Sequence, residues 1–487
     1  MEPSHQVTDT CLSPLDWLMP RYYMPQIYCF PSGNPGLCES LQHGLAGLVA
    51  EVPFLLSGVV SQEHPLGSVA LSNPYRTASD IFSWQDLSEK LDYESLKKDH
   101  FPLSIFNDNA VIVPNTLKRP LPTPAPVFWS RLTLVRGGAF LYVGLHHAVS
   151  DMIGFGSLVK IWSAHCRDGA STAAGFDRTW LDRSPLCNIA PSTPVGPVPA
   201  VIPDGLFYED VSVSALVSPG EGPPQPVPEF TAAIFYFAPE GLERLKRAAV
   251  DHLPILGESG VPWVSTSDVL TALLWSAIVW AEQDFSPTID RNVPSHMAFP
   301  VNIRSLWTPA LPPDYVGAAC GRASAAAPTG DLLLLSAPEA KHEGGEGSND
   351  LGPSKARLMA KVSVAVRAAI ANMSEEKMRT AIAFTAAQPD LSRITQRPTR
   401  APMITSWADN PIHDLDWGKT VGRCEAVRFA TFPVRVRPII LPRVSARDGG
   451  GVEVFLSVDQ AEMKRFSESA LVKQFGTLRT SVVLGKR

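Results

Sequence analysis

The alternation of apolar and polar residues in the first half of the chain predicts a β-hairpin. Two apolar runs rich in aromatic and β-branched residues, VFWSRLTLV and AFLYVGLHH, are separated by Arg136-Gly137-Gly138, a pattern typical of antiparallel strands joined by a tight turn. Because successive strand side chains point to opposite faces, the second strand divides into two sets: Leu141, Val143, Leu145 and His147 on one face, and Phe140, Tyr142, Gly144 and His146 on the other. The two adjacent histidines are therefore expected to point in opposite directions.

Helical spacing follows this hairpin, and the second half of the chain repeats the alternation. Apolar residues recur at helical intervals from shortly after Asp151 to about Cys166, which predicts a helix over that stretch. After position 229, FTAAIFYF, HMAFPVNIR and GGVEVFLSVD read as strands, and STSDVLTALLWSAIVWAE reads as a capped, buried helix. The predicted fold class is α/β, with mixed α and β elements and sheets flanked by helices.

The distribution of proline and glycine suggests where the chain divides. Prolines cluster between Ser184 and Glu229, and such a stretch sustains neither a helix nor a central strand because proline lacks an amide donor. We predict an N-terminal domain over 1–185, an extended crossover linker over 186–228 and a C-terminal domain over 229–487. A second break, Lys341–Lys355, is rich in glycine and charge and predicts a surface loop.

Composition narrows the partners and the compartment. The net charge of −6 argues against nucleic acid as a partner. The seven cysteines contain no C-x-x-C pair, so neither a disulfide framework nor a metal site is expected, and a reducing compartment fits best. The N-terminus has no signal-peptide pattern, and the longest apolar helix candidate, Val269–Ala281, is too short to span a bilayer. We expect a cytoplasmic protein without membrane contact.

The strongest chemical feature is the run from His146 to Asp151, at the end of a predicted strand and before a predicted helix. A neutral histidine there suits proton transfer near pH 7. Asp151 either holds the imidazole of His147 in one tautomer or pairs with a cation that organises the turn. Alone, the H-x-x-x-D spacing is weak evidence for catalysis, because such a histidine is more often a hydrogen-bonded residue of the core. This structural role fits His146 better than His147.

Motifs in order along most of the chain resemble the BAHD family of acyl-CoA-dependent acyltransferases. His147 and Asp151 match the family's H-x-x-x-D-G motif, with Met152 in place of the glycine, and Asp414-Leu415-Asp416-Trp417-Gly418 resembles D-F-G-W-G. Three further segments, LSPLD near the N-terminus, VNIRSLWTPALPPDYVGAA in mid-chain and Ile404-Thr405-Ser406-Trp407, are similar to family segments in the same order. The departures at Leu415 and Asp416 suggest a divergent branch.

This resemblance implies two similar chloramphenicol-acetyltransferase-like domains with a tunnel between them. His147 is then the general base. Asp151 is counted with it as a catalytic-motif residue, with a structural and orienting role favoured. Acyl-CoA, with acetyl-CoA expected, is the co-substrate, and no cofactor or metal is permanently bound. The acceptor is an alcohol or amine, and the expected assembly is a monomer. Ser406, Trp407, Trp417 and Gly418 are the candidate substrate- or CoA-binding residues. Arg304, Asp414 and His146 are candidate structural residues, with a salt bridge expected between Asp414 and Arg304.

Two other functions remain open at this stage. The pair His146-His147 also resembles the H-H-x-x-x-D-G motif of nonribosomal peptide condensation domains, whose acyl donor is bound to a carrier protein. A relative that binds or rearranges a metabolite without acylating it is the third possibility. The divergent motifs resemble family members that acetylate hydroxyls of microbial secondary metabolites such as terpenoids or polyketides.

Overall fold

Two five-stranded sheets organise the protein. The computed structural model describes residues 10–107, 111, 121, 123–169, 175–187, 189, 202–208, 229–256, 261–283, 291, 293–338, 350–396, 402–430 and 434–485. Most of the predicted linker 186–228 and residues 341–349 of the predicted loop lie outside these ranges. The rest of that loop prediction is partly wrong, because a helix begins at Pro353, where a proline fits the first turn.

The first sheet has the strand order β14-β1-β7-β6-β4. These strands are β1 (Tyr23–Phe30), β4 (Phe82–Asp86), β6 (Phe128–Val135), β7 (Gly138–His146) and β14 (Ala426–Arg428). Strands β6 and β7 pair in antiparallel register up to Val135 opposite Gly138, which confirms the predicted hairpin. Gly137, with a φ of 78°, supplies the left-handed conformation that this turn requires.

The second sheet has the order β13-β15-β16-β9-β17. Its strands are β9 (Phe230–Phe237), β13 (Thr405–Ser406), β15 (Val436–Ile440), β16 (Val452–Asp459) and β17 (Gly476–Leu484). Smaller groups complete the β structure: β2 (Gly58–Ser61), β3 (Val69–Ser72) and β5 (Ala125–Pro126), the hairpin of β10 (Pro294–Asn302) and β11 (Cys320–Pro328), and the pair β8 (Phe207–Tyr208) and β12 (Ile394–Thr395).

Helices pack on both sheets, as the fold-class prediction required. The described helices are α1 (Pro14–Leu18), α2 (Leu37–Glu51), α3 (Tyr93–Lys98), α4 (Met152–Asp168), α5 (Ser184–Cys187), α6 (Pro239–Val250), α7 (Thr266–Glu282), α8 (Thr329–Ser336), α9 (Pro353–Ala371), α10 (Glu375–Ala387), α11 (Gly418–Val421), α12 (Gln460–Glu468) and α13 (Ala470–Phe475). Apolar residues of α2 and α4 share one core with β1, β6 and β7, and α7 shares a second core with β9 and β16. No described helix is long and apolar enough to cross a membrane.

One strand crosses the predicted division of the chain. Residues 426–428 belong to the segment predicted as the C-terminal domain, yet they form β14 and pair with β1 in the first sheet. Arg428 on this strand forms a buried ion pair with Glu453 on β16 of the second sheet, at 2.8 Å. The two sheets are therefore joined through both backbone and side chains.

Candidate active site

His147 lies where β7 leaves the first sheet. Strand β7 ends at His146, and a 3-10 turn follows over His147–Val149. The backbone N–H of His147 donates to the carbonyl of Tyr22, at 2.8 Å, so the strand edge fixes the start of the turn. Residues of the predicted His147 face of β7 lie in the core shared with α4, whereas Phe140 and Tyr142 lie in a separate core.

The imidazole of His147 has a defined tautomer. Its Nδ1 lies 2.9 Å from the carbonyl oxygen of Ser150, and a carbonyl only accepts hydrogen bonds. Nδ1 therefore carries the proton, and the lone pair is on Nε2. Burial lowers the pKa of His147 to about 4; the bond to Ser150 opposes this shift, and the positive charge of Arg322 adds to it. His147 is consequently neutral at physiological pH.

Asp151 caps the helix that begins directly after it. Its Oδ1 accepts from the N–H of Gly154 at 2.9 Å, the pattern of an N-cap residue. Both carboxylate oxygens also pair with Arg304, at 2.9 and 2.8 Å, and Oδ2 accepts from the N–H of Ala319 at 2.9 Å. Burial alone would raise the pKa of Asp151, but Arg304 and these donors hold it below its ordinary value. Asp151 thus orders the turn and does not hydrogen-bond the His147 ring.

The predicted salt bridge between Asp414 and Arg304 is wrong. Arg304 is 2% exposed and pairs with Asp151, whereas the Asp414 carboxylate lies 3.4 Å from the hydroxyl of Ser445. The sequence offered two acidic residues for one arginine. Which of the two pairs with Arg304 depends on how a loop from the second half of the chain packs against the turn after β7. Sequence spacing does not encode that packing.

Sequence reasoning missed a second buried ion pair beside the same turn. Arg183 pairs with Asp16 at 2.7 Å and donates to the carbonyl of Val149 at 2.8 Å. Asp16 accepts from the N–H of Ala318 at 2.9 Å, next to the amide that binds Asp151. Ser150 adds a hydroxyl bond of 2.6 Å to the carbonyl of Val316. Two ion pairs and a serine thus clamp residues 316–319 against the turn that carries His147.

His146 is packed within the protein. It is buried, its Nδ1 accepts from the N–H of Ala148 at 3.2 Å, and its ring lies edge-on to Tyr23 with centroids 5.4 Å apart. In the described residues, no group of three or more His, Cys, Asp or Glu side chains is arranged to hold a metal ion.

Comparison with known proteins gives consistent matches. Residues 27–166 match the family model of the trichothecene 3-O-acetyltransferase-like N-terminal domain. The trichothecene 3-O-acetyltransferase TRI101 of Fusarium sporotrichioides is 24% identical over 89% of this chain and 88% of its own. The acyltransferase BOA11 of Botryotinia fuckeliana (strain B05.10) is 24% identical over 94% and 95%. The crystal structure of F. sporotrichioides TRI101 complexed with coenzyme A and T-2 is 19% identical, with a TM-score of 0.73 over 97% of this chain and 100% of that one.

Along most of its length the chain is similar to acyl-CoA-dependent acyltransferases of the BAHD type. The matches agree with the family resemblance, and they confirm the fold class and the prediction of an acyltransferase. The matches to acyltransferases extend over most of the chain and include the turn that carries His147.

Where the chain departs from the BAHD motif, the structure gives a local reason. Met152, in place of the motif's glycine, is buried at the first position of α4. Its sulfur lies 3.2 Å from the amide nitrogen of Gln26 and 3.7 Å from that of Asn410. Asn410 therefore joins the loop after Trp407 to the helix that follows His147. Sulfur accepts such bonds weakly, so Met152 fills space and adds a weak polar contact.

Ser406 and Trp407 differ in how free their donors are. Ser406 ends the short strand β13 and is exposed, and its hydroxyl accepts from the N–H of Ala408 at 3.3 Å. Trp407 is buried against Phe429, with ring centroids 5.6 Å apart. Its indole N–H makes no hydrogen bond to the described residues, and its carbonyl accepts from Asn410 at 2.9 Å. Of the two, Trp407 is better placed to donate a hydrogen bond from a mostly apolar setting.

The Trp417-Gly418 segment, predicted to contact substrate or CoA, is packed within the protein. Trp417 is 0% exposed and lies edge-on to Phe30 and Trp162, with ring centroids 5.4 and 5.7 Å apart. Gly418 has a φ of 83°, and a Cβ there would lie 2.9 Å from the Cα of Arg167. Only glycine allows this close approach to the end of α4. Asp416 accepts from the N–H of Gly418 at 3.0 Å, which orders the same turn.

Proposed function

We propose that the protein is an acyl-CoA-dependent O-acyltransferase that transfers an acetyl group to a hydroxyl of a secondary metabolite of terpenoid or polyketide type. Acyl-CoA and acceptor bind together, and His147 is the general base. The names of the relatives, one of them a trichothecene 3-O-acetyltransferase, support the reaction and the acceptor class. We also propose the domain division at 186–228, with the reactants meeting between the domains, and a cytoplasmic monomer.

The observation that carries this proposal is the hydrogen bond from Nδ1 of His147 to the carbonyl of Ser150. It leaves the Nε2 lone pair unused within a ring that stays neutral at pH 7. A neutral imidazole held in one tautomer is the arrangement that general-base catalysis requires.

The proposed transfer needs no covalent acyl-enzyme. Nε2 of His147 takes the proton of the acceptor hydroxyl as its oxygen bonds to the thioester carbonyl carbon. The carbon–sulfur bond then breaks, and the proton on Nε2 passes to the CoA sulfur, which leaves as the thiol. The sum is one ester and one free thiol from one alcohol and one thioester, and His147 returns to its starting state.

The oxyanion of the tetrahedral intermediate needs a donor, and we assign this role to the indole N–H of Trp407. Its lack of a partner in the described residues and its apolar surroundings support the assignment, because such donors stabilise charge more strongly away from water. Ser406 is the weaker candidate because it is exposed, where water competes for the oxyanion.

The test is acceptor-dependent release of thiol from acetyl-CoA, with product mass, over a panel of hydroxylated metabolites. We expect His147→Ala to lose on the order of 10²–10⁴-fold in rate and to keep its fold by circular dichroism. His43→Ala changes an exposed histidine of the same half and serves as the matched control with unchanged rate. Equal rates for the His147→Ala variant and the wild type would refute His147 as the base.

A second candidate keeps the chemistry and changes the donor. The adjacent pair His146-His147 at the strand end favours a carrier-protein-bound acyl group, as in condensation domains. Transfer from an acyl-phosphopantetheinyl carrier protein but not from free acyl-CoA, under the same conditions, would select this alternative. Transfer from free acetyl-CoA would select the first.

A further inference from the structure

Arg322 is a buried arginine on the strand that follows residues 316–319, and the mechanism above does not use it. It lies on β11, three residues after Ala319, whose N–H binds Asp151. The side chain is 8% exposed. Its Nε donates to the carbonyl of Gln396 at 3.2 Å, while its two terminal amino groups make no hydrogen bond to the described residues.

Its lack of a counter-charge distinguishes Arg322 from the other buried arginines. Arg183, Arg304 and Arg428 each pair with a carboxylate at 2.7–2.8 Å, of Asp16, Asp151 and Glu453 respectively. Within the described ranges, Arg322 makes no ion pair with a carboxylate. A buried charge without a partner is costly, so a neutral residue would serve better at a position with only a structural role.

The guanidinium also lies within electrostatic reach of the base. Arg322 is the charged residue that opposes protonation of His147, whereas Asp151 favours it. An anion bound by the terminal amino groups of Arg322 would lie beside β11, the strand that follows Ala319, whose N–H holds Asp151 and with it the His147 turn. The planar fork of arginine suits a carboxylate, which it binds through two parallel hydrogen bonds.

We propose that Arg322 binds a carboxylate carried by one of the two reactants. Its source is either a dicarboxylic acyl group on CoA, such as malonyl, or an acceptor that bears a carboxylate as well as the hydroxyl. This inference rests on the proposed acyl transfer at His147 and deepens it. If the acceptor bears the carboxylate, acetyl-CoA remains the proposed donor. If the acyl group bears it, a donor such as malonyl-CoA takes the place of acetyl-CoA.

Calorimetric binding distinguishes the two sources without requiring turnover. The donor pair is malonyl-CoA against isovaleryl-CoA, whose acyl group has the same shape without the charge. The acceptor pairs are 4-hydroxyphenylacetate, mandelate and 3-hydroxydecanoate, each against its methyl ester in the presence of CoA. In either the donor pair or the acceptor pairs, we expect the compound with the carboxylate to have a Kd about tenfold lower than its uncharged counterpart. This difference is consistent with a charge-assisted bidentate pair.

The variants assign that preference to Arg322. The binding ratio is the Kd of the uncharged compound divided by the Kd of the carboxylate. Arg322→Gln should reduce this ratio to about one, since it removes the charge and the planar guanidinium. Arg322→Lys keeps the charge and should retain part of the ratio. Arg244→Gln makes the same change in a partly buried arginine that lies over Phe475 in the second half, and should retain the full ratio. The same ratio in the wild type and in Arg322→Gln, in the donor pair and in the acceptor pairs alike, overturns the proposal.

Thermal unfolding separates binding from a structural role. We expect Arg322→Gln to unfold at the wild-type temperature or above it, because no buried carboxylate loses its partner. A decrease as large as that of Arg304→Gln, which strands Asp151, would make Arg322 structural and overturn the inference. Transfer that persists in His147→Ala, with the Arg322-dependent binding ratio intact, would refute the base assignment and leave the carboxylate site.

Discussion

At the scale of single residues, the protonation state of His147 decides the chemistry. A free histidine titrates near pH 6.5, whereas burial lowers the pKa of His147 to about 4. Its proton on Nδ1 is used in the bond to Ser150. The residue therefore combines a fixed tautomer with a neutral charge over the range in which most histidines change state.

This state predicts an unusual pH dependence. The base acts only when unprotonated, and the folded pKa lies below that of a free histidine, so His147 stays active between about pH 4 and 6.5. We expect kcat/KM for an acceptor without titratable groups to remain level from pH 8 to about pH 5 and to fall below that. Arg322 favours this low pKa and Asp151 opposes it. A decrease centred near pH 6.5 would contradict the assigned environment.

Single residues also show where the sequence was sufficient and where it was not. Strand alternation and the H-x-x-x-D spacing selected His147 as the candidate base, because both depend on neighbours in the chain. The partner of Arg304 and the ion pair of Arg183 with Asp16 depend on contacts between residues more than 150 positions apart. No local pattern encodes that packing. The full burial of Trp417 was not predictable either, because a motif match does not show how much of a side chain is exposed.

At the scale of elements, the start of α4 couples the fold to the site. Asp151 is at once the N-cap of this helix and the partner of Arg304, so the helix holds the turn that precedes it. Gly154 permits this arrangement, because a Cβ there would lie 2.1 Å from the carbonyl of Val316. The helix prediction needed only apolar spacing, whereas the clamp around its first turn involves distant segments.

Removal of the Asp151 charge should therefore reduce stability and activity together. Asp151→Asn keeps the size of the side chain and a cap acceptor but leaves Arg304 buried without a counter-charge. We expect the free energy of unfolding in urea to decrease by about 3–5 kcal/mol. Asp92→Asn is the matched control: it also caps a helix and pairs with an arginine, Arg136, but at an exposed position, and its effect should be small. Equal effects of both substitutions would refute the role of the buried pair.

At the scale of the whole molecule, the connection between the two sheets was not predictable. The sequence indicated strands after position 425, but a three-residue strand gives no signal of the sheet that it joins. The structure adds β14 to the first sheet and links it to the second through Arg428 and Glu453. Two sheets flanked by helices were predicted correctly, because each sheet depends on longer strands with clear alternation.

This link predicts a global loss of stability when it is cut. Arg428 also donates to the carbonyls of His100 and Phe101, both of which have a positive φ. Arg428→Met leaves Glu453 paired with Arg479 alone and removes the donors to two carbonyls. We expect the free energy of unfolding to decrease by about 1–3 kcal/mol, with both sheets losing amide-exchange protection. Lys361→Met, which cuts an exposed pair with Asp331, should change stability little. Loss of protection confined to the first sheet would show that the pair does not couple the two.

The most direct test of the central claim is the ¹⁵N spectrum of the histidine rings, with the His147 signals assigned by their absence in His147→Ala. We expect a neutral ring at pH 7 with the proton on Nδ1 and none on Nε2, unchanged down to about pH 5. A charged ring at pH 7, or a proton on Nε2, would contradict the assignment of His147 as the general base.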